Sequence, residues 1–210
     1  MIKSIVFDMD GTLLDSSAAM TYSVNYVRSS YGLDAIKKED LENYINEPNS
    51  NIPKMLYNID SYTKEHKDRF AKHYLENANL YVEPYAGVHE LLKALHVDGF
   101  TLSIATNAND IFAYNMLEGQ GILEYFSFVV GANNVEKSKP NPEMIHHISK
   151  VSNIPLGQTV LVGDSIKDEG AALNAGIDFL FVDWGYGKSS KYTKSFSQTK
   201  ELYNYLNFRT

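Results

Sequence analysis

The sequence predicts an α/β protein built on a parallel five-stranded sheet, and three observations predict it. Five short runs, SIVFD from Ser4, LSIAT from Leu102, FSFVV from Phe126, TVLVG from Thr159 and FLFVD from Phe179, are rich in β-branched and aromatic residues and apolar almost throughout. Runs that do not alternate with polar residues suit strands covered on both faces, as in parallel sheets. Helix-like segments of ordinary length separate the last four runs, and that alternation marks an α/β domain. The interval from Ser16 to about Leu80 breaks the rhythm: it holds helical spacing but no convincing strand, so it reads as an insertion after the first strand.

The first strand drives straight into Asp8 and Asp10, with Gly11 behind them. An acid leaving a buried strand must reach water, meet a cation or perform chemistry, because an unpaired buried charge costs several kcal/mol or changes its protonation. In the insertion, SSAAMTYSVNYVRSSYG, KKEDLENYINE and SYTKEHKDRFAKHYLENANL carry Val, Tyr, Leu or Phe at helical spacing, with Pro48 and Pro53 punctuating the middle. The following PYAGVHELLKALHVDGF places Val88, Leu91, Leu92 and Leu95 on one helical face, ended by Gly99. Further helices are expected after Asn109, from Pro142 at a first helical position, and from Asp168 to Ala175 with Gly176 closing the last. Beyond Lys188 scattered lysines read as a solvated face, and Leu202, Tyr205 and Leu206 of ELYNYLNF dock a final helix. The expected division is a core of residues 1–15 and 81–210 and a helical cap domain of residues 16–80.

Composition limits the function classes. The chain has 210 residues, 44% of them hydrophobic, enough for a real core. A net charge of −7 argues against a broad nucleic-acid surface, which needs clustered Lys and Arg. With no cysteine there is neither a disulfide framework nor a thiolate metal site, and oxygen-rich chemistry is favoured. No apolar run approaches the ~20 residues of a membrane span, and Asp8 and Asp10 interrupt any signal-like core. These features suggest a cytoplasmic protein with no membrane or nucleic-acid partner. The six histidines, His146 and His147 included, lack paired metal-ligand spacing on one face, and the fifteen tyrosines suit packing or exposed surface more than base stacking.

If the five runs are parallel strands, Asp8, Thr106 and Asp164 all lie at or just beyond carboxyl ends, the rim where ligands bind in open α/β sheets. Each alone is explained equally well as a helix cap. Together, drawn from distant parts of the chain, they make a site.

That grouping resembles the haloacid dehalogenase-like hydrolases, and within them the phosphatase branch. DMDGT from Asp8, Thr106 in SIATN, Lys139 in KSKPNP and GDSIKD from Gly163 follow the family's four motifs in order. PYAGVHELLKAL, AALNAG and VDWGYG are similar to the phosphoglycolate phosphatase group. The resemblance implies a Rossmann-like core of strand order 3-2-1-4-5 and a magnesium-dependent phosphatase for a small phosphorylated metabolite. It implies Asp8 as the nucleophile that carries an aspartyl phosphate, and Asp10 as the acid that protonates the leaving alcohol and then the base that activates water. Mg²⁺ would be held by the Asp8 and Asp164 side chains and the Asp10 carbonyl, with Asp168 orienting metal-bound water or Lys139. Thr106, backbone donors around Asn107, and Lys139 would bind the phosphoryl oxygens.

A sugar-phosphate mutase shares all four motifs and stays open as an alternative. A receiver-type phospho-aspartate switch also combines an acidic rim with Thr and Lys, but such modules lack a helical insertion after the first strand. In the cap, INEPNSNIPK keeps Pro48 but has Asn46 where the phosphoglycolate phosphatase group carries glycine, which leaves the substrate open; Asn49 and Lys54 lie nearby. A monomer or weak homodimer is expected.

Overall fold

The computed structural model describes residues 1–47, 50–187 and 194–208. Two compact units emerge: Met1–Asp15 joined with Pro84–Thr210, and Ser16–Glu83. In chain order the elements are β1 (Ser4–Phe7), β2 (Leu14–Asp15), α1 (Ser17–Ser30), α2 (Lys38–Asn46), α3 (Ile52–Tyr57), α4 (Lys64–Asn77), β3 (Glu83–Pro84) and α5 (Val88–Val97). Then follow β4 (Thr101–Ala105), α6 (Asp110–Gly119), β5 (Phe126–Val130), α7 (Glu143–Ser152), β6 (Thr159–Gly163), α8 (Ile166–Ala175), β7 (Asp178–Val182), β8 (Lys194–Phe196) and α9 (Thr199–Asn207).

The larger unit is a parallel sheet of order β5-β4-β1-β6-β7-β8. The five apolar runs take the expected 3-2-1-4-5 order, and the strand count is corrected from five to six. The sixth strand escapes a hydrophobicity reading because it is short and at the sheet edge, with Lys194 and Ser195 exposed and only Phe196 buried. In the middle of the sheet Ile5, Val6, Phe7, Leu102, Ile104, Leu161 and Val162 are all wholly buried, which is why these strands show no alternation. On one face Met144, Ile145 and Ile148 of α7 and Ala171, Ala172 and Ala175 of α8 cluster with Val6, Val130 and Leu161. Each large aliphatic side chain so covered contributes about 1.5–3 kcal/mol.

Helix ends follow local chemistry. The Asn109 side chain accepts from the Ile111 amide and starts α6. Ser165 and Asp168 form a reciprocal capping box, so α8 begins at Ile166, two residues ahead of the expected start, and Gly176 closes it in the left-handed region at φ 70°. Pro142 stands at the N-cap of α7, one place before the first helical position.

The smaller unit holds α1 to α4 around Val24, Val27, Leu41, Leu56 and Tyr57. Asn25 makes two 2.9 Å hydrogen bonds to the backbone of Ile36, and the Arg28 guanidinium donates to the carbonyls of Asp34 and Leu56. The insertion contains one helix more than the three segments expected: Pro53 lies in the first turn of α3, where its missing N–H breaks no helical bond, and Asn51 caps it. His66 and His73 stack on Tyr31 and Tyr26, with ring centroids 4.3 and 4.1 Å apart. Pro48, Asn49 and the start of the lysine-bearing segment at Lys188 lie outside the described residues. Among the described residues no helix is long and apolar enough to cross a membrane.

Candidate active site

Every residue singled out for chemistry lies in the sheet unit, on loops leaving the carboxyl ends of β1, β4 and β6, on the segment before α7 or, for Asp168, in the first turn of α8. β1 delivers Asp8, whose amide donates to the Val162 carbonyl at 2.9 Å, so the first loop is hydrogen-bonded to the strand that delivers Asp164. Gly11 turns the chain at φ 86°, and a Cβ there would lie 2.2 Å from Asp164 Oδ2; only glycine permits this approach. Thr106, immediately beyond β4, is anchored by its amide on Val130, while its hydroxyl accepts from the Ala108 amide and lies 3.5 Å from Asp10 Oδ2. Its neighbour Asn107 donates through Nδ2 to the Lys139 carbonyl at 2.9 Å, tying the second loop to the third.

Lys139 is the hub. Its Nζ donates to Asp8 Oδ1 and to Asp168 Oδ1, each at 2.6 Å, although the residue is only 4% exposed. The other oxygen of Asp168 accepts from the Ser165 amide and hydroxyl at 3.1 and 2.5 Å, so that carboxylate is committed to the ammonium on one side and the helix cap on the other. Asp164 accepts from the Gly187 amide at 2.7 Å through Oδ2 and from the Thr12 hydroxyl at 3.3 Å through Oδ1. Because Asn109 and Ser165 cap α6 and α8, neither Thr106 nor Asp164 is needed as a helix cap.

The balance of charge is negative. Burial, reinforced by Asp168 and Asp164, pushes the Asp8 carboxyl well above its ordinary value, against the opposing pull of Lys139. Burial and then Asp168 push Asp164 up to about 7, against the Gly187 amide, Lys139 and Thr12. Burial disfavours the Lys139 charge, but Asp168 and Asp8 outweigh it, and the ammonium is held charged. One cation therefore faces three buried acids, an excess of acid over base that a divalent ion could offset.

Asp8, Asp164 and Asp168 each present a carboxylate oxygen within 4.8 Å of the others. An all-oxygen, acid-rich donor set fits a hard cation of the magnesium or calcium type. Asp10 is not part of this carboxylate cluster; it is half-buried beside Thr106.

The sequence reading missed several supporting groups. Thr12 and Gly187 hold Asp164, Ser165 holds Asp168, and Trp184 Nε1 donates to the Thr12 carbonyl at 2.9 Å. Ser165 was legible as the start of a Ser-x-x-Asp capping box. Gly185 and Gly187, two residues apart just beyond a strand, signal close approach of backbone to a neighbouring loop.

Comparison with known proteins gives a consistent picture. The protein-family model described as haloacid dehalogenase-like hydrolase matches residues 5–182. The phosphoglycolate phosphatase of Nitrosospira multiformis is 31% identical over 194 residues, covering 89% of this chain and 86% of its own. That of Thiobacillus denitrificans is 28% identical over 200 residues, covering 92% and 88%. The crystal structure of a predicted phosphoglycolate phosphatase from Haemophilus somnus has a TM-score of 0.87 at 24% identity, covering 100% of this chain and 98% of the other, a likeness of fold.

Proposed function

The chain belongs to the haloacid dehalogenase-like hydrolases and is a phosphoric monoester hydrolase of that family; from this premise we propose that Asp8 accepts the phosphoryl group of a small phosphate monoester in a magnesium-dependent reaction. The observation that carries this reading is the buried Lys139 ammonium, 2.6 Å from both Asp8 and Asp168 and surrounded by more acid than it can neutralise. A carboxylate cannot approach a phosphate dianion unless positive charge waits where the phosphoryl oxygens will sit.

In this mechanism an Asp8 oxygen attacks phosphorus, the bond to the ester oxygen breaks, and Asp10 protonates the departing alcohol. Asp10, now a base, removes a proton from water as that water attacks phosphorus and regenerates Asp8. Thr106 lies beside Asp10, and its hydroxyl, the amides around Asn107 and Lys139 are assigned to the transferring oxygens. Magnesium, with Asp8, Asp164 and the Asp10 carbonyl as its protein ligands, supplies when bound the positive charge that the acid cluster lacks. Asp168, with both oxygens engaged, positions Lys139.

The helical unit Ser16–Glu83 is assigned as the cap that selects the alcohol, supported by its own separate core and by its place in the chain directly after the Asp8 loop. Phosphoglycolate is the first substrate to test, because the curated relatives carry that name, although Asn46 departs from that group's glycine. The absence of cysteine is in keeping with a cytoplasmic enzyme, and a monomer or weak homodimer is proposed. Phosphate release measured over a panel of phosphorylated metabolites, with Mg²⁺ and with EDTA, tests this reading. Multiple turnover that needs Mg²⁺ and vanishes in Asp8→Asn supports it; turnover in EDTA, or near-normal turnover in that variant, overturns it.

A further inference from the structure

We propose that the loop after β7, residues 183–187, is a clamp that aims Asp164 at the bound metal, with Trp184 and Thr12 as its positioning residues; this rests on the metal-site reading above. Contacts from four of its residues locate the loop. Asp183 accepts from Ser197 Oγ at 3.0 Å and from Ser195 Oγ at 3.4 Å, fixing its outer end to the β8 edge. Trp184 Nε1 donates to the Thr12 carbonyl at 2.9 Å, joining the loop to the segment that carries Asp8 and Asp10. Gly185 packs so closely that a Cβ there would sit 2.0 Å from the Gly11 carbonyl oxygen and 2.5 Å from Asp164 Oδ2. The Gly187 amide then donates to Asp164 Oδ2 at 2.7 Å.

The consequence for Asp164 is directional. Its Oδ2 is occupied by a short backbone hydrogen bond, and its Oδ1 accepts only the longer 3.3 Å bond from the Thr12 hydroxyl. The loop thus fixes one oxygen, while the other, steadied by the Thr12 hydroxyl, keeps a lone pair for a cation. Loss of a group that orients a metal ligand typically weakens metal binding about 10–100-fold. Thr12 acts twice, since its hydroxyl touches Asp164 while its carbonyl receives Trp184. The first-motif loop and the post-β7 loop therefore hold Asp164 from two sides and hold each other.

The indole borders a cavity of about 440 Å³ beside Tyr85, Gly87 and Thr199, so Trp184→Phe removes the N–H without opening a packed core. Trp184 is also the only tryptophan in the sequence, so its emission reports on the clamp alone. The test is a titration of the metal-free full chain with MnCl₂, followed by electron paramagnetic resonance of free Mn²⁺, alongside Trp184 emission, Tm and kcat at saturating Mn²⁺. Trp184→Phe is expected to bind Mn²⁺ about fivefold more weakly, the ratio carried by one neutral hydrogen bond, with Tm moving by no more than about 4 °C and kcat recovered at saturation. Thr12→Val is expected to weaken binding about tenfold or more, and Thr12→Ser, which keeps the hydroxyl, to restore it. In the wild type the emission changes with the same midpoint as Mn²⁺ binding. Unchanged Mn²⁺ affinity in Trp184→Phe and Thr12→Val, while Asp164→Asn abolishes binding, overturns the clamp and leaves the metal site standing. Wild-type chain that binds no Mn²⁺, or binding indifferent to Asp164→Asn, overturns both.

Discussion

Replacing Lys139 by methionine isolates the central electrostatic term, because the side chain keeps a similar length and fills a similar volume while losing its charge. Lys139 is 4% exposed, and its ammonium lies 2.6 Å from both Asp8 and Asp168. Removing it leaves three buried acids with no cation, and breaking a buried pair from one side costs about 3–5 kcal/mol. The cost depends on pH in a direction the geometry dictates. Asp8 is already raised above its unfolded value by burial and by Asp168 and Asp164, with Lys139 opposing the rise. Without Lys139 the folded value climbs further. An acid whose folded pKa exceeds its unfolded one loses stability as pH rises from the unfolded value through the folded one. Urea unfolding in EDTA is therefore expected to show a loss of about 3–5 kcal/mol for Lys139→Met at pH 8 and less than half of that at pH 5, where the orphaned carboxyls take up protons. A loss below about 1 kcal/mol at pH 8, or an equal loss at both pH values, refutes the reasoning.

Two further outcomes follow from the same site. Asp10→Asn is expected to lower kcat/KM, which reports the steps up to departure of the alcohol, by about 10²–10⁴-fold on unactivated esters and far less on nitrophenyl phosphate, whose leaving group needs no proton; steady-state kinetics on the two substrate types checks this, and equal losses in kcat/KM contradict the acid role. Metal-free wild-type protein is expected to lose stability as pH rises from about 4 to about 7, because Asp164 sits near 7 when folded against 3.8 when free and Asp8 is raised as well. Saturating Mg²⁺, which favours the ionised acids, should flatten that slope in a series of urea melts, and an unchanged slope contradicts a metal held by these carboxylates.

The sheet was legible because its strands are buried on both faces, so Ile5 to Phe7 and Val160 to Val162 announce themselves by unbroken hydrophobicity. The edge strand Lys194–Phe196 was not, since one buried phenylalanine beside two exposed polar residues looks like any loop. Pro53 reads equally well as punctuation or as the first turn of α3, and the choice rests on Asn51 accepting from the Lys54 amide. The acids stood out because each follows a strand end at a fixed place. Their supports were legible only in part: the Ser165-x-x-Asp168 box and the Gly185 and Gly187 pair leave a local signal, but that Asn107 grips the Lys139 backbone and that Lys139 reaches both Asp8 and Asp168 are contacts between residues distant in the chain. Spacing along the sequence carries no record of them.

The most direct measurement traps the covalent species. Enzyme quenched during turnover of a competent phosphate ester and treated with borohydride, which reduces an acyl phosphate to the alcohol, is digested and read by mass spectrometry. Conversion of Asp8 to homoserine, dependent on substrate and on Mg²⁺, is the predicted result. Sustained phosphate release with Asp8 unmodified, or with the label on another residue, would contradict the assignment of Asp8 as the group that takes the phosphoryl.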